Sequence, residues 1–266
     1  MTEENNPGSE AVGLPPASQK TKEQWLEEGK VLMFYAPIRY EEALAAFEQA
    51  ISLDPNSGLA YRMKGRALHA LRRHEEALAV FEQAVVLDET SAEASNGKGD
   101  SLFALQRYEE ALAAYEQALH LDPTSVEAAD GKASSLTFLH RDEEALASYA
   151  HVIRLDGDPF YAWMAHLNSG TLLASRCRYE EALAAYEEAI RLEPKQAFVY
   201  VYRGTMLSSL ARDEEALAAY EEASRLEPNN ASIWRHIGDV LISLERPDEA
   251  KQAYARAGQP GSREEA

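Results

Sequence analysis

Basic residues are scarce in this chain: 26 Lys and Arg stand against 45 Asp and Glu, a formal net charge of −19 over 266 residues. Nucleic-acid binding draws on Lys and Arg to neutralise phosphates, so this balance speaks against it. An anionic membrane surface would repel the chain for the same reason. There is one cysteine, Cys177, which rules out an intramolecular disulfide and gives no sign of an oxidising compartment. No hydrophobic run approaches the ~20 residues that a membrane-spanning helix needs. The opening "MTEENNPGSEAVGLPPASQK" has neither a basic start nor an apolar stretch and is not a secretory signal. Its Pro, Gly, Ser, Asn and Glu content predicts a disordered tail over residues 1–21. Together these absences point to a reducing cytoplasm as the setting. What is present, 45% hydrophobic and 27% charged residues, is ordinary for a soluble folded protein.

The word "RYEEALAA" begins at Arg39 and returns unchanged at Arg107 and Arg178. Near copies start at Arg73, Arg141, Arg212 and Arg246. The step is 34 residues throughout, apart from 37 between Arg141 and Arg178. A fixed period of that length marks a repeat architecture. Residues 197–230 show one unit. Phe198, Tyr200, Val201, Met206, Leu207 and Leu210 fall at the spacing of one broad apolar helix face. "ARD" interrupts, and a second helix follows through "EEALAAYEEASRL". Asp213, Glu214 and Glu215 suit the positive end of its dipole, and Arg225 the negative end. Pro228 then disfavours helical geometry at Glu227. The unit is two antiparallel helices with a tight connection. Gly204 sits inside the first helix, where glycine costs ~1 kcal/mol against alanine. Its recurrence at Gly65, Gly99, Gly170 and Gly238 therefore needs a packing reason, a crossing too close for a side chain. Tyr220 is the large counterpart, with Phe47, Phe81, Tyr115, Tyr149, Tyr186 and Tyr254 at its equivalents.

This pattern resembles the tetratricopeptide repeat, in which an aromatic, Leu-Gly, a hydrophobic residue, then Ala, an aromatic, Ala and Pro recur at fixed offsets. The last unit carries Trp234, Ile237, Gly238 and Leu241, then Ala250, Tyr254 and Ala257. The closing proline appears as Pro55, Pro123, Pro194 and Pro228, and is replaced by Glu89 and Gly157 elsewhere. Seven units cover about 22–57, 58–91, 92–125, 126–162, 163–196, 197–230 and 231–258, with a C-terminal tail at 259–266. The resemblance implies an all-α fold, a right-handed superhelical solenoid of seven antiparallel helix pairs with first helices lining the concave face. Two units break the period. Gly29 to Ala43 is two residues longer than Gly65 to Ala77, and Pro37 would lengthen that turn. The three residues added before the fifth unit are close to one helical turn. They predict a first helix extended at its start, with Phe160, Tyr161 and Trp163 either sealing the junction to the fourth unit or forming an exposed patch.

Nothing in the chain marks a catalytic centre. Seven histidines form no H-E-x-x-H, and none pairs with Cys177 at an informative spacing. The Glu-Glu pairs, such as Glu109-Glu110 and Glu214-Glu215, recur with the period and read as solvated helix starts. "NGKGDS" does not match a phosphate loop, nor "DETSAEASNGKGD" a calcium loop. The chain is expected to be non-catalytic and to need neither cofactor nor metal.

The resemblance further implies a groove that grips a segment of a partner protein. Counting from the packing glycine, the i, i+3, i+4 rule assigns Lys30, Arg62, Arg66 and His69 to the first two units. The third and fourth offer Glu93, Asn96, Asp100, Glu127 and Asp130. Met164, Leu167, Asn168, Thr171, Phe198, Val201, Tyr202 and Thr205 follow, then Arg235, His236 and Asp239. The expected face is basic at its start, acidic in the middle, then apolar and aromatic. Arg62 and Arg66 are suited to gripping a carboxylate, and aromatics and Arg are common interface anchors. The family's chaperone-tail clamp of Lys, Asn and Arg over three successive first helices is not matched in any three units. The second reading is self-association, because "QPGSREEA" after Gly258 is too short for a capping helix and solenoid ends need a polar cap. An unrecognised hydrolase or transferase is the remaining alternative.

Overall fold

The computed structural model describes residues 20–35, 39–155 and 159–258. The disordered tail expected over residues 1–21 lies outside the described residues as far as residue 19, while Thr21 caps the first helix; the turn lengthened by Pro37 and the tail at 259–266 also lie outside them. Those residues form fourteen helices with no strand among them. By compactness the chain divides into two units, Met1–Glu89 and Thr90–Ala266. The division falls where Glu89 stands in place of the closing proline.

In the first unit α1 (Lys22–Phe34) pairs with α2 (Tyr40–Leu53), and α3 (Gly58–Ala70) with α4 (His74–Leu87); α2 also packs on α3. The second unit runs α5 (Ala92–Ala104), α6 (Tyr108–Leu121), α7 (Val126–Phe138), α8 (Asp142–Arg154), α9 (Pro159–Ser175), α10 (Tyr179–Leu192), α11 (Ala197–Ser209), α12 (Asp213–Leu226), α13 (Ala231–Ser243) and α14 (Pro247–Ala257). Each helix there packs on the next, and the first helices α5, α7 and α9 also touch in succession. As expected, α9 is extended at its start: it has 17 residues where α11 has 13.

The repeated word explains how each second helix begins. Its arginine is the N-cap residue, yet offers no capping side chain. It folds instead onto the glutamate three residues on, as Arg107 does onto Glu110, with Nε and Nη2 each 2.7 Å from a carboxylate oxygen. The same fork forms at Arg73–Glu76, Arg141–Glu144, Arg178–Glu181, Arg212–Glu215 and Arg246–Glu249. So the second glutamate of each pair is exposed, as expected of a solvated face, but it is not idle. Such surface pairs contribute a few tenths of a kcal/mol each. First helices begin differently: the Ser57, Ser91 and Ser125 hydroxyls accept from the backbone N–H of Ala60, Ala94 and Ala128.

From the second pair to the seventh the connection within the pair is a Schellman turn. At α5–α6 the Arg107 N–H reaches the Leu102 carbonyl and the Gln106 N–H the Phe103 carbonyl, both at 2.9 Å. Gln106 has φ 61°, and Arg72, His140, Cys177, Ala211 and Glu245 are left-handed at the same place in their turns. None is glycine, and each side chain there costs ~1 kcal/mol or more.

The recurring glycines face aromatic rings. A Cβ added at Gly99, Gly170 or Gly204 would lie 2.7 Å from Cε1 of Tyr115, Tyr186 or Tyr220, and one at Gly65 2.8 Å from Cζ of Phe81. The expected close crossing is thus real, but the second helix's ring fills it, not its backbone. Gly131 on α7 also lies against the Tyr115 ring. The fourth pair has the buried Ala133 opposite Tyr149. These rings are nearly inaccessible in every pair but the last, Phe47 0%, Phe81 1% and Tyr149 2% exposed, and each contributes on the order of 2 kcal/mol by burial.

A buried phenol needs a partner for its hydroxyl. The residue after the packing glycine supplies one. The Tyr115 hydroxyl donates to Asp100 at 2.8 Å and that of Tyr254 to Asp239 at 2.7 Å. Tyr186 donates to Thr171, and Tyr220 meets Thr205 at 3.2 Å. Where the ring is Phe47 or Phe81, the residue after the glycine is Lys30 or Arg66, which has no acceptor to give. Asp100→Ala is therefore expected to destabilise by ~1–3 kcal/mol, the cost of an unsatisfied buried group. Adding Tyr115→Phe should recover most of that loss in a chemical-denaturation series; strict additivity of the two changes would contradict the pairing.

Candidate functional site

The expected binding residues fall on both compact units. In the first, Arg62 is half-buried on α3 and Arg66 is exposed, its guanidinium 5.0 Å from the ring centroid of Phe34. That cation–aromatic contact holds Arg66 against a ring that is itself 48% exposed. His69 is half-buried in the last turn of α3. Its ring meets that of His74 edge-on at 4.9 Å, and its Nδ1 is buried without a partner.

In the second unit the structure gathers four of the expected residues in one cavity of about 270 Å³. Asn96 and Asp100 from α5 and Glu127 and Asp130 from α7 line it, with Phe103 and Tyr161. Asp100 accepts from Tyr115 and, at 3.3 Å, from the Asn96 amide. Burial and the neighbouring Asp100 charge push the Tyr115 hydroxyl far above its ordinary range. Burial alone raises the Asp130 carboxyl, whose Oδ1 is buried without a partner. Asn168 lies in a second cavity of about 250 Å³ with Ser134, Thr137, Phe138 and Thr171.

Beyond them the rings form a chain. Phe160 and Tyr161 approach to 5.8 Å, Phe160 and Trp163 to 5.9 Å, Trp163 and Phe198 to 6.3 Å, Phe198 and Tyr202 to 5.8 Å. Trp163 is 8% exposed, whereas Phe160, Phe198 and Tyr202 are 54%, 38% and 42% exposed. The junction rings therefore divide: Trp163 and Tyr161 pack into adjoining core clusters, and Phe160 faces out. Leu167, Val201 and Met164 pack against the core and offer less surface than their spacing promised. His236 stacks on Tyr220 at 5.1 Å. Arg235 is exposed beside Asp239 and Tyr254, lining a cavity of about 330 Å³ at α14.

The self-association reading needs apolar surface left open on the last helix, which is not what α14 presents. Its exposed side chains include Lys251, Gln252 and Arg256, the last 4.5 Å over the Trp234 ring. Tyr254, 38% exposed, is its one large apolar side chain open to solvent. Among the described residues no helix is long and apolar enough to cross a membrane, and no group of three or more His, Cys, Asp or Glu is placed to hold a metal. Sequence reasoning missed the part of Phe103 and Tyr161 in the acidic cavity, because repeat spacing says nothing of which side chains meet across adjacent pairs.

Three family profiles described as tetratricopeptide repeat match the chain, one at residues 39–92 and 212–263, one at 92–125 and one at 163–196. Among curated protein sequences none matches. The structure is similar to the C-terminal part of a repeat-containing protein from Cytophaga hutchinsonii, with a TM-score of 0.71, 16% identity, and 88% of this chain and 95% of that one covered. It is similar to YrrB, described as having an unusual peptide-binding site, with a TM-score of 0.59, 22% identity, and 76% and 99% covered. It is similar to MamA, with a TM-score of 0.54, 23% identity, and 60% and 91% covered. At these identities the likeness is one of fold.

His69 generates a pH prediction. Burial, then the charges of His74 and Arg72, hold its imidazole below the ordinary 6.5. A folded value below the unfolded one means the folded state resists protonation. Stability is then whole above about pH 6.5 and declines as pH falls towards the folded value. Melting of the intact protein at about pH 7.5 and about pH 5.5 should show a larger drop than in His69→Phe; equal drops would contradict this placement of the ring.

Proposed function

The chain belongs to the tetratricopeptide-repeat family, and from that premise we propose that it is a non-catalytic interaction scaffold that holds a segment of another protein on the first-helix face of its second unit. The observation that carries this is the run of aromatic rings from α9 to α11. Packing between helix pairs consumes Trp163 and leaves Phe160, Phe198 and Tyr202 exposed. Exposed clustered aromatics on a soluble protein mark sites of association. Tyr161 of α9 lines the acidic cavity between α5 and α7, and Asn168 and Thr171 of α9 line the hydroxyl-lined cavity between α7 and α9, giving the face polar groups beside its rings. YrrB, of similar fold, is described as binding peptide, which supports the same class of ligand here. The face is suited to an extended segment, with several first helices each contributing two or three side chains. Arg62 and Arg66 belong to the first unit.

The test is a comparison of wild type with Phe198→Ala/Tyr202→Ala as bait in lysate of the host. Both side chains are substantially exposed, so circular dichroism and melting are expected to change little. Truncating two anchor aromatics removes ~2 kcal/mol or more of binding, so a partner held by wild type should be lost or weakened at least ~30-fold. Recovery of the same proteins in the same amounts by both baits would contradict the assignment.

A further inference from the structure

We propose that the segment bound by this face carries a Lys or Arg side chain close to an apolar or aromatic one. The cation enters the carboxylate cavity between α5 and α7, and the apolar residue lies on the rings of Phe160, Phe198 and Tyr202. This rests on the peptide-binding reading and names the chemistry of its ligand.

The argument begins with Asp130. Asp130 is half-buried on the cavity wall, burial raises its carboxyl, and among the described residues no hydrogen bond or ion pair reaches its buried Oδ1. A carboxyl partly removed from water without a partner is costly, and an incoming cation relieves that cost. Asp100 differs. Its oxygens accept from Tyr115 and Asn96, and those bonds hold a fixed acceptor at the cavity wall. Glu127 adds a third carboxylate, exposed at the rim. Phe103 and Tyr161 supply aromatic lining; a ring face favours a cation, and apolar ring surface favours the methylene stem behind it. At about 270 Å³ the cavity exceeds the ~30 Å³ share of one water several-fold, enough for the end of one basic side chain. Tyr161 is also the first ring of the aromatic chain, in contact with Phe160 at 5.8 Å. Cavity and apolar surface are therefore continuous, and one segment spans both within a few extended residues.

Charge selects among occupants. A metal ion is not favoured, since no metal-holding cluster of carboxylates forms among the described residues. A second copy of this chain carries the same charge of −19, and its end segments "MTEENN" and "SREEA" are net acidic, so like charges oppose it. A foreign segment of basic and apolar residues is complementary in both respects, and the field of the whole chain steers it inward.

The experiment is selection of a phage library of random dodecapeptides on full-length protein. Wild type is expected to enrich Arg or Lys within a few positions of Leu, Phe or Trp. Glu127→Gln/Asp130→Asn should keep the apolar preference and lose the basic one. A charge-matched control, Glu109→Gln/Glu214→Gln, alters exposed residues outside the cavity and should keep both. A synthetic peptide of the selected sequence should bind the cavity variant roughly 10-fold more weakly by anisotropy. A consensus without basic residues, or a basic preference surviving in the cavity variant or lost equally from the control, would overturn the inference while leaving peptide binding intact. Failure of wild type to enrich any peptide would overturn both.

Discussion

A missing side chain sets the geometry of each helix pair. Where a first helix carries glycine, the ring of the second helix rests on bare backbone, as Tyr115 does on Gly99 and Tyr220 on Gly204. A helix-interior glycine is unfavourable by ~1 kcal/mol. The buried ring offsets that locally by removing a large apolar surface from water. Since the contact recurs in every pair but the fourth, where Ala133 takes its place, it fixes the approach of the two helices and hence the direction in which each first helix points its remaining side chains. The inner face inherits its register from these contacts.

The same rings govern which residues that face can display. A tyrosine over the glycine needs an acceptor one residue on, and so places Asp100, Thr171, Thr205 or Asp239 on the first helix. A phenylalanine releases that position to Lys30 or Arg66. The change from basic to acidic along the first helices is thus partly a consequence of core chemistry. Asp100 belongs to a buried hydrogen bond as well as to a cavity wall, whereas Asp130, one pair further on, has no such structural duty. This difference separates the carboxylate tied into the core from the one whose buried Oδ1 has no hydrogen-bond partner.

Much of this was legible in the sequence. The period gave the helix pairs, glycines and rings their partners, and the three added residues before Gly170 gave the extended α9. Three features were not legible, each because contact across space decides it. The left-handed residue in the intrapair turns of the second to seventh pairs is Arg, Gln, His, Cys, Ala or Glu, types that announce no such conformation. The Arg–Glu forks look like solvated charge until the N-cap geometry brings them together. Spacing also assigned Leu167 and Val201 to the binding face alongside Phe198 and Tyr202, although packing between pairs takes up the first two and leaves the second two exposed. The division after Glu89 is marked only by an absent proline.

The contact between glycine and ring is tested most directly by Gly204→Ala alone and in a Tyr220→Ala background. Beneath the ring the new Cβ meets atoms 2.7–2.9 Å away on a side chain that is only 3% exposed and has little room to shift. The substitution should therefore destabilise the protein by ~1–3 kcal/mol, despite alanine's better helix propensity. With the ring removed that propensity should prevail, and the same substitution should stabilise by up to ~1 kcal/mol. If Gly204→Ala raises the melting temperature with Tyr220 intact, the ring does not require the glycine and the account fails.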